Sequence, residues 1–366
     1  LGVIPGAGGC NRLPRTVGLR AALEMIVSGK SIRASRAFKM GLVDELVPPA
    51  ILREAAVAAA QRLAGGERPR RSGRGGLAGW FFDRSAPGRA LVLRQARAMT
   101  RKRTRGNYPA PLAALDAVGH SLAHGMERGL SREAELFGEL AHSEVSRRLV
   151  EVFFATAALK KDLGVPAPAP SPAPVERFGI LGAGFMGSGI AAMAAIHGGV
   201  PVRMRDADLP RVGKGIKAVA DIIEERVRRH SSTRLEGARQ LALVSGATDL
   251  SGFRRMDLVA EAVYEDLGVK QAVLRELEAV AKPDCIFASN TSTIPIGRIA
   301  EASRHPETVV GMHFFSPVHR MPLLEVIAAE RTAPRTIVTA VTFGRRLGKT
   351  GIVARDRPGF FVNRTL

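Results

Sequence analysis

The sequence predicts an α/β protein in two unlike parts, a mostly helical first half followed by a half of alternating strands and helices. Two observations carry this. Apolar residues before position 164 recur at helical spacing, whereas after position 174 short β-rich runs alternate with helical ones. Between the two, residues 164–174 are an alternation of proline and alanine that cannot continue a helix and favours extended polyproline II. A chain of 366 residues, 46% of them hydrophobic, is too long for one ordinary core and has apolar material for two.

In the first half the helical patterns cover 20–28, 35–39, 51–63, 110–127 and 131–161, broken by a Gly/Arg loop at 65–79. In the second half the strand signals fall at 178–181, 201–205, 257–260, 285–289, 308–312, 323–327 and 352–354. Strands separated by helical runs mark a parallel sheet. The run 267–281 places Leu267, Val273, Leu274, Leu277, Val280 and Ala281 on one helical face, which is expected to pack on that sheet.

Composition excludes several classes. Cys10 and Cys285 are too few for a disulfide framework and lack the neighbours of a metal cluster, so a reducing cytoplasm is expected, with both thiols buried and no metal bound. No apolar run reaches the roughly 18 residues of a membrane span, and no charged-then-apolar leader opens the chain. A formal net charge of +20 raises nucleic acid as a partner. Against it, basic runs such as Arg68, Arg70 and Arg71 have no interleaved aromatics, and the chain has only two Tyr and one Trp on which bases could stack. The charge is read instead as a basic surface that attracts anionic substrates, or as a simple compositional bias toward Ala, Gly and Arg. Because the chain starts at Leu1 and 360–366 read as the start of a new element, a fragment of a longer protein is expected.

The most informative local pattern follows the first strand of the second half. Residues 182–187 read GAGFMG and open the apolar helical run 190–196. This is a dinucleotide fingerprint in strand–turn–helix context: Gly182 permits the tight turn, Gly184 lets backbone approach a pyrophosphate, and Gly187 allows close helix–strand packing. Met186 lies within the same turn. The helix N-terminus offers unpaired N–H groups to phosphate. Asp206, about twenty residues on at the end of the next strand, is placed to bind ribose hydroxyls and to repel a 2′-phosphate, which favours NAD over NADP. Arg203, Arg205 and Arg211 temper that preference, and a structural turn with a capping Asp is the bland alternative.

Residues 175–366 resemble the 3-hydroxyacyl-CoA dehydrogenase family. The resemblance is carried by GAGFMG at 182–187, AEAVYE at 260–265, ASNTS at 288–292, GMHFFSP at 311–317, LEVI at 324–327 and PGFFVNR at 358–364. The first half is similar to the C-terminal part of an enoyl-CoA hydratase, or crotonase, domain through LGVIPGAGG at 1–9, RLPR at 12–15 and GLVD at 41–44. Together they resemble the bifunctional hydratase/dehydrogenase subunits of fatty-acid oxidation. This implies a crotonase-like part with linker helices at 1–163, a Pro/Ala linker at 164–174, a Rossmann-type NAD-binding domain at 175–355 and the start of a further dehydrogenase domain at 356–366. It also implies fatty acyl-CoA substrates, a thiolase β-subunit as partner, and hydratase glutamates lying upstream of Leu1.

A dehydrogenase of this kind needs a base for the hydroxyl proton, and histidine suits neutral pH. His313 follows the strand 308–312 near the carboxyl edge of the sheet, and Glu325 lies on the next strand, where it can hold the ring; the resemblance implies that they form this pair. Ser292 can bind the substrate oxygen or the nicotinamide, or simply cap a turn. Asn363 matches a substrate-binding asparagine, with a loop-capping amide as the alternative. Val263, Glu265 and Lys270 match cofactor-contacting positions, although Glu265 and Lys270 also suit the exposed start of a helix. Ser316 stands at a substrate-contacting position where Asn is usual. The other histidines match no catalytic motif. Rival readings are a β-hydroxyacid dehydrogenase, which shares the glycine turn but relies on a lysine in a different motif, and an NAD-binding chain without turnover.

Overall fold

The computed structural model describes residues 1–67, 81–83 and 85–365, and divides into two compact units, Leu1–Phe154 and Ala155–Leu366. The basic run at 68–71 and most of the 65–79 loop lie outside the described residues.

The first unit is helical, with α1 (Gly9–Val17), α2 (Leu19–Ser28), α3 (Ala34–Lys39), α4 (Leu52–Ala64), α5 (Ala86–Thr104), α6 (Pro109–His124), α7 (Met126–Ala141) and most of α8 (Glu144–Leu159). Its core gathers Ile4, Cys10, Leu19, Leu115, Val118 and Leu136. The pattern 110–127 is cut at Gly125, whose φ of 91° ends one helix and caps the next. Buried Glu133 accepts hydrogen bonds from Gly8 N at 2.6 Å, Cys10 N at 2.9 Å and Asn11 Nδ2 at 2.7 Å, satisfying the first amides of α1.

The second unit is a three-layer α/β sandwich around one sheet of order β3-β2-β1-β4-β5-β6-β7-β8. The strands are β1 (Phe178–Leu181), β2 (Val202–Arg205), β3 (Val244–Ala247), β4 (Leu258–Glu261), β5 (Ile286–Ser289), β6 (Val309–Phe314), β7 (Leu323–Ala328) and β8 (Thr350–Arg355). Helices α9 (Phe185–Met193), α10 (Leu209–Arg228), α11 (Arg234–Ala242), α12 (Leu267–Glu278), α13 (Ile296–Ala300), α14 (Pro334–Arg346) and α15 (Val362–Thr365) accompany them. β1, β4 and β5 are buried along their whole length, as strands covered on both faces must be. Local signals set the helix starts: Asp208 caps α10, Asp266 caps α12, and Thr233 with Glu236 forms a capping box on α11.

The sheet is not wholly parallel: β7 runs antiparallel to β6, because residues 315–322 are far too few for the dozen or more residues that a parallel crossover needs. β8 is then parallel to β7. Strand β3 was not anticipated, since a Val-Ser-Gly-Ala edge strand has little β-propensity. Helix α12 ends at Glu278, which leaves Val280 exposed rather than on the packed face.

Candidate active site

The site is built at the carboxyl ends of β1, β4, β5 and β6, where open α/β sheets bind ligands. At the end of β1, Gly182 has φ 98°, and a Cβ there would lie 2.5 Å from Ala262 O. A Cβ on Gly187 would lie 1.9 Å from Gly182 O, so helix and strand touch at this point. A Cβ on Gly184 would meet nothing within 4 Å, so its exposed backbone is open to a ligand. The turn thus leaves an open cradle where a pyrophosphate would lie against the start of α9, and the residues fit a dinucleotide. Met186 is half-buried against the core.

Asp206 is the first residue past β2. Its Oδ2 accepts a hydrogen bond from Ala183 N at 2.7 Å and its Oδ1 one from Ala207 N at 2.7 Å. The carboxylate therefore holds the glycine turn while remaining at the rim, and the Arg211 guanidinium approaches to 3.9 Å.

At β4 and β5 the sequence reading missed the central residue. Glu261 is fully buried; its Oε1 accepts from Lys270 Nζ at 2.7 Å and Val263 N at 2.8 Å, and its Oε2 from Ser289 Oγ at 2.6 Å. Lys270 is only 1% exposed, so the alternative of an exposed helix start does not hold for it. Its ammonium also lies 3.1 Å from Glu265 Oε2. Glu265 Oε1 accepts from Thr291 Oγ1 at 2.5 Å and Ser292 N at 3.0 Å. Burial alone would raise the Glu265 pKa, but the Thr291 hydroxyl, the Lys270 ammonium and the Ser292 amide together hold it below the ordinary value. Glu265 and Lys270 are thus struts that fix the 290–293 loop. The strand-end acid Glu261, beside a lysine one helical turn into α12, was the available signal.

Ser292 is half-buried, and its carbonyl accepts from Asn363 Nδ2 at 3.1 Å, so these two predicted residues are brought together. Asn290 Oδ1 accepts from Phe314 N at 2.9 Å, tying the same loop to β6.

His313 lies within β6 rather than after it, and the antiparallel register sets it directly opposite Glu325. Directly opposed residues share a face, so the two side chains meet: His313 Nδ1 lies 2.7 Å from Glu325 Oε2, with 5% and 0% exposure. The other carboxylate oxygen accepts from Phe361 N at 3.0 Å and Val362 N at 2.9 Å. Gly359 and Phe360 both have positive φ, 77° and 48°, which turns the chain so that those amides face Glu325. Phe315 and Phe360 stand beside the imidazole at ring-centre distances of 4.6 and 5.8 Å. Ser316, at the following loop, is exposed. With Glu325 accepting, the neutral ring carries its proton on Nδ1 and leaves Nε2 as the acceptor.

A mostly parallel sheet carrying a glycine turn with its strand-end aspartate, and a buried His–Glu pair on its antiparallel strands β6 and β7, define an NAD-dependent dehydrogenase. Residues 177–357 match the family model for the 3-hydroxyacyl-CoA dehydrogenase NAD binding domain, and residues 1–70 match that for enoyl-CoA hydratase/isomerase. Among solved structures, M. tuberculosis FadB2 is 37% identical with a TM-score of 0.51; the match covers 53% of this chain and 68% of that one. (S)-3-hydroxybutyryl-CoA dehydrogenase from Ralstonia eutropha is 34% identical, TM-score 0.51, covering 52% and 67%. 3-Hydroxybutyryl-CoA dehydrogenase from Escherichia coli is also 34% identical, TM-score 0.51, and the match covers 52% of this chain but only 40% of that protein. The chain belongs to the 3-hydroxyacyl-CoA dehydrogenase family, and it joins that NAD-binding domain to an enoyl-CoA hydratase/isomerase segment. Among the described residues no helix is long and apolar enough to cross a membrane, and no group of three or more His, Cys, Asp or Glu is placed to hold a metal.

Proposed function

We propose that the protein oxidises 3-hydroxyacyl-CoA to 3-ketoacyl-CoA in fatty-acid β-oxidation, as the dehydrogenase of a bifunctional hydratase/dehydrogenase. The observation that carries this is the buried His313–Glu325 pair at the ligand edge of the sheet. Bound NAD supplies the hydride acceptor. His313 Nε2 takes the proton of the substrate's C3 hydroxyl, and Glu325, with one oxygen on Nδ1 and the other on two amides, orients the ring and stabilises the imidazolium that results. Ser292 and Asn363 hold the substrate oxygen, and Ser316 contacts the acyl-CoA. Gly182, Gly184, Met186, Gly187, Asp206, Val263, Glu265 and Lys270 build the NAD site, the last two by fixing the loop that carries Ser292.

The match at residues 1–70 supports hydratase function in the complete protein and fatty acyl-CoA as the shared substrate class. A cytoplasmic location and assembly with a thiolase β-subunit are part of the same proposal. The test compares NADH formation by the complete protein from a 3-hydroxyacyl-CoA and from the free 3-hydroxy acid. Turnover of the thioester alone is expected; preference for the free acid would move the protein to the β-hydroxyacid dehydrogenases.

A further inference from the structure

Lys349, just before β8, is 8% exposed, and among the described residues its ammonium is held by carbonyls with no carboxylate partner. It donates to Val318 O and, at 2.8 Å, to Met321 O. Both carbonyls belong to the 315–322 connection between β6 and β7, which starts two residues after His313 and contains Ser316. On its other side this connection rests on the cofactor helix: Val318 is 2% exposed, and a Cβ added to Gly189 of α9 would come within 2.9 Å of it. Arg320 reaches Glu225 of α10 at 3.6 Å. Burying an ammonium without a counter-charge is costly, and an apolar side chain of the same length would fill the space. Retaining the charge makes sense where the geometry of those two carbonyls matters.

We propose that Lys349 is a positioning residue for the acyl-CoA substrate, its ammonium fixing the 315–322 connection, with Phe315 and Ser316, against the helix that opens at the dinucleotide turn. This rests on the dehydrogenase reading above. Loss of the ammonium loosens the substrate loop and leaves the His313–Glu325 pair, anchored by β6, β7 and the 361–362 amides, in place.

Burial pushes the Lys349 pKa down to about 8. His197 and His319 interact with its charge, and Arg226, Arg320, Arg229 and Glu225 act in turn on those two histidines. Burial, aided by neighbouring cations, holds both histidines below their ordinary value, so they are already neutral at pH 7. Between pH 7 and 9.5 Lys349 is thus the member of this group that loses charge. A neutral amine donates weaker hydrogen bonds, so the loop slackens as pH rises through about 8.

The experiment uses the complete protein and its Lys349→Met variant, with KM for a 3-hydroxyacyl-CoA, kcat, NAD affinity and amide exchange of 315–322 measured from pH 7 to 9.5. At pH 7 the variant should show KM raised about tenfold, kcat within about threefold, unchanged NAD affinity and faster exchange in the loop. Wild-type KM should climb about threefold through pH 8 while the variant stays flat. The wild-type pH series needs no variant, so a poorly folding Lys349→Met leaves the proposal open to refutation. Wild-type turnover with a flat KM across pH 8, or an unmoved KM in a folded Lys349→Met, overturns this proposal alone. A wild-type protein that forms no NADH overturns the dehydrogenase reading and this proposal with it.

Discussion

Glu325→Gln isolates what the buried carboxylate does. The wild-type side chain accepts on both oxygens, Oε2 from His313 Nδ1 at 2.7 Å and Oε1 from the amides of Phe361 and Val362 at 3.0 and 2.9 Å. A carboxamide has one accepting oxygen and one donating nitrogen. Keeping its oxygen on the two amides turns its NH2 toward His313, so Nδ1 must become an acceptor and the ring proton moves to Nε2, the atom proposed to receive the substrate proton. Turning the oxygen toward His313 instead faces the NH2 against two amide donors. The second orientation pairs donor with donor; the first avoids that clash, but only by forcing the tautomer that cannot accept at Nε2. A wrong tautomer beside a catalytic imidazole costs roughly 10⁴ in kcat in serine proteases, so a fall of about 10³ to 10⁴ is expected here, or about 4 to 5.5 kcal/mol in the barrier. The change is nearly isosteric, so the melting temperature and NAD affinity should barely move. Steady-state NADH formation from a 3-hydroxyacyl-CoA, with NAD titrated separately, reads this out. A Glu325→Gln enzyme within tenfold of wild type would refute the tautomer argument.

Other substitutions separate fold from site. Gly184→Ala should leave the melting temperature unchanged and weaken NAD binding at least about tenfold, because its Cβ enters the open cradle, whereas Gly187→Ala should destabilise the fold, its Cβ falling 1.9 Å from Gly182 O. Equal melting temperatures for the two variants would contradict this. Lys270→Met strands the fully buried Glu261 carboxylate and should cost about 3 to 5 kcal/mol, lowering the melting temperature by about 10 °C, with partial recovery in Lys270→Met/Glu261→Gln; a melt shifted by under about 2 °C would show that the pair is unimportant. Burial drives the thiols of Cys10 and Cys285 up to about 12, so neither should react with a disulfide reagent at pH 8 until denaturant is added; prompt labelling of the native protein would contradict their placement.

Much of the second unit was legible because its physics is local. A glycine turn between an apolar strand and an apolar helix has one geometric purpose, and uninterrupted apolar strands report a sheet covered on both faces. The His313–Glu325 contact is not local, yet it was within reach: residues 315–322 cannot form a crossover, so β7 must turn back, and the antiparallel register then opposes the two residues. What stayed hidden depends on tertiary pairing. Glu261 reads as an ordinary strand-end acid until Lys270 and Ser289 close around it. The amides of Phe361 and Val362 reach Glu325 only because Gly359 and Phe360 adopt positive φ, and nothing in Phe360 itself announces that conformation. Helices α1 and α5 escaped for different reasons. Pro14 interrupts the first, and the second buries only Gly88, Val92 and Thr100 beneath an arginine-rich surface.

The most direct measurement is NADH formation at 340 nm from a 3-hydroxyacyl-CoA by the complete protein and its His313→Ala variant, with NAD binding followed in parallel. Substrate-dependent NADH in the wild type, lost in the variant while NAD affinity holds, is the expected result. Wild-type NAD binding without turnover, or a variant that turns over at the wild-type rate, would contradict the assignment of His313 as the base of a 3-hydroxyacyl-CoA dehydrogenase.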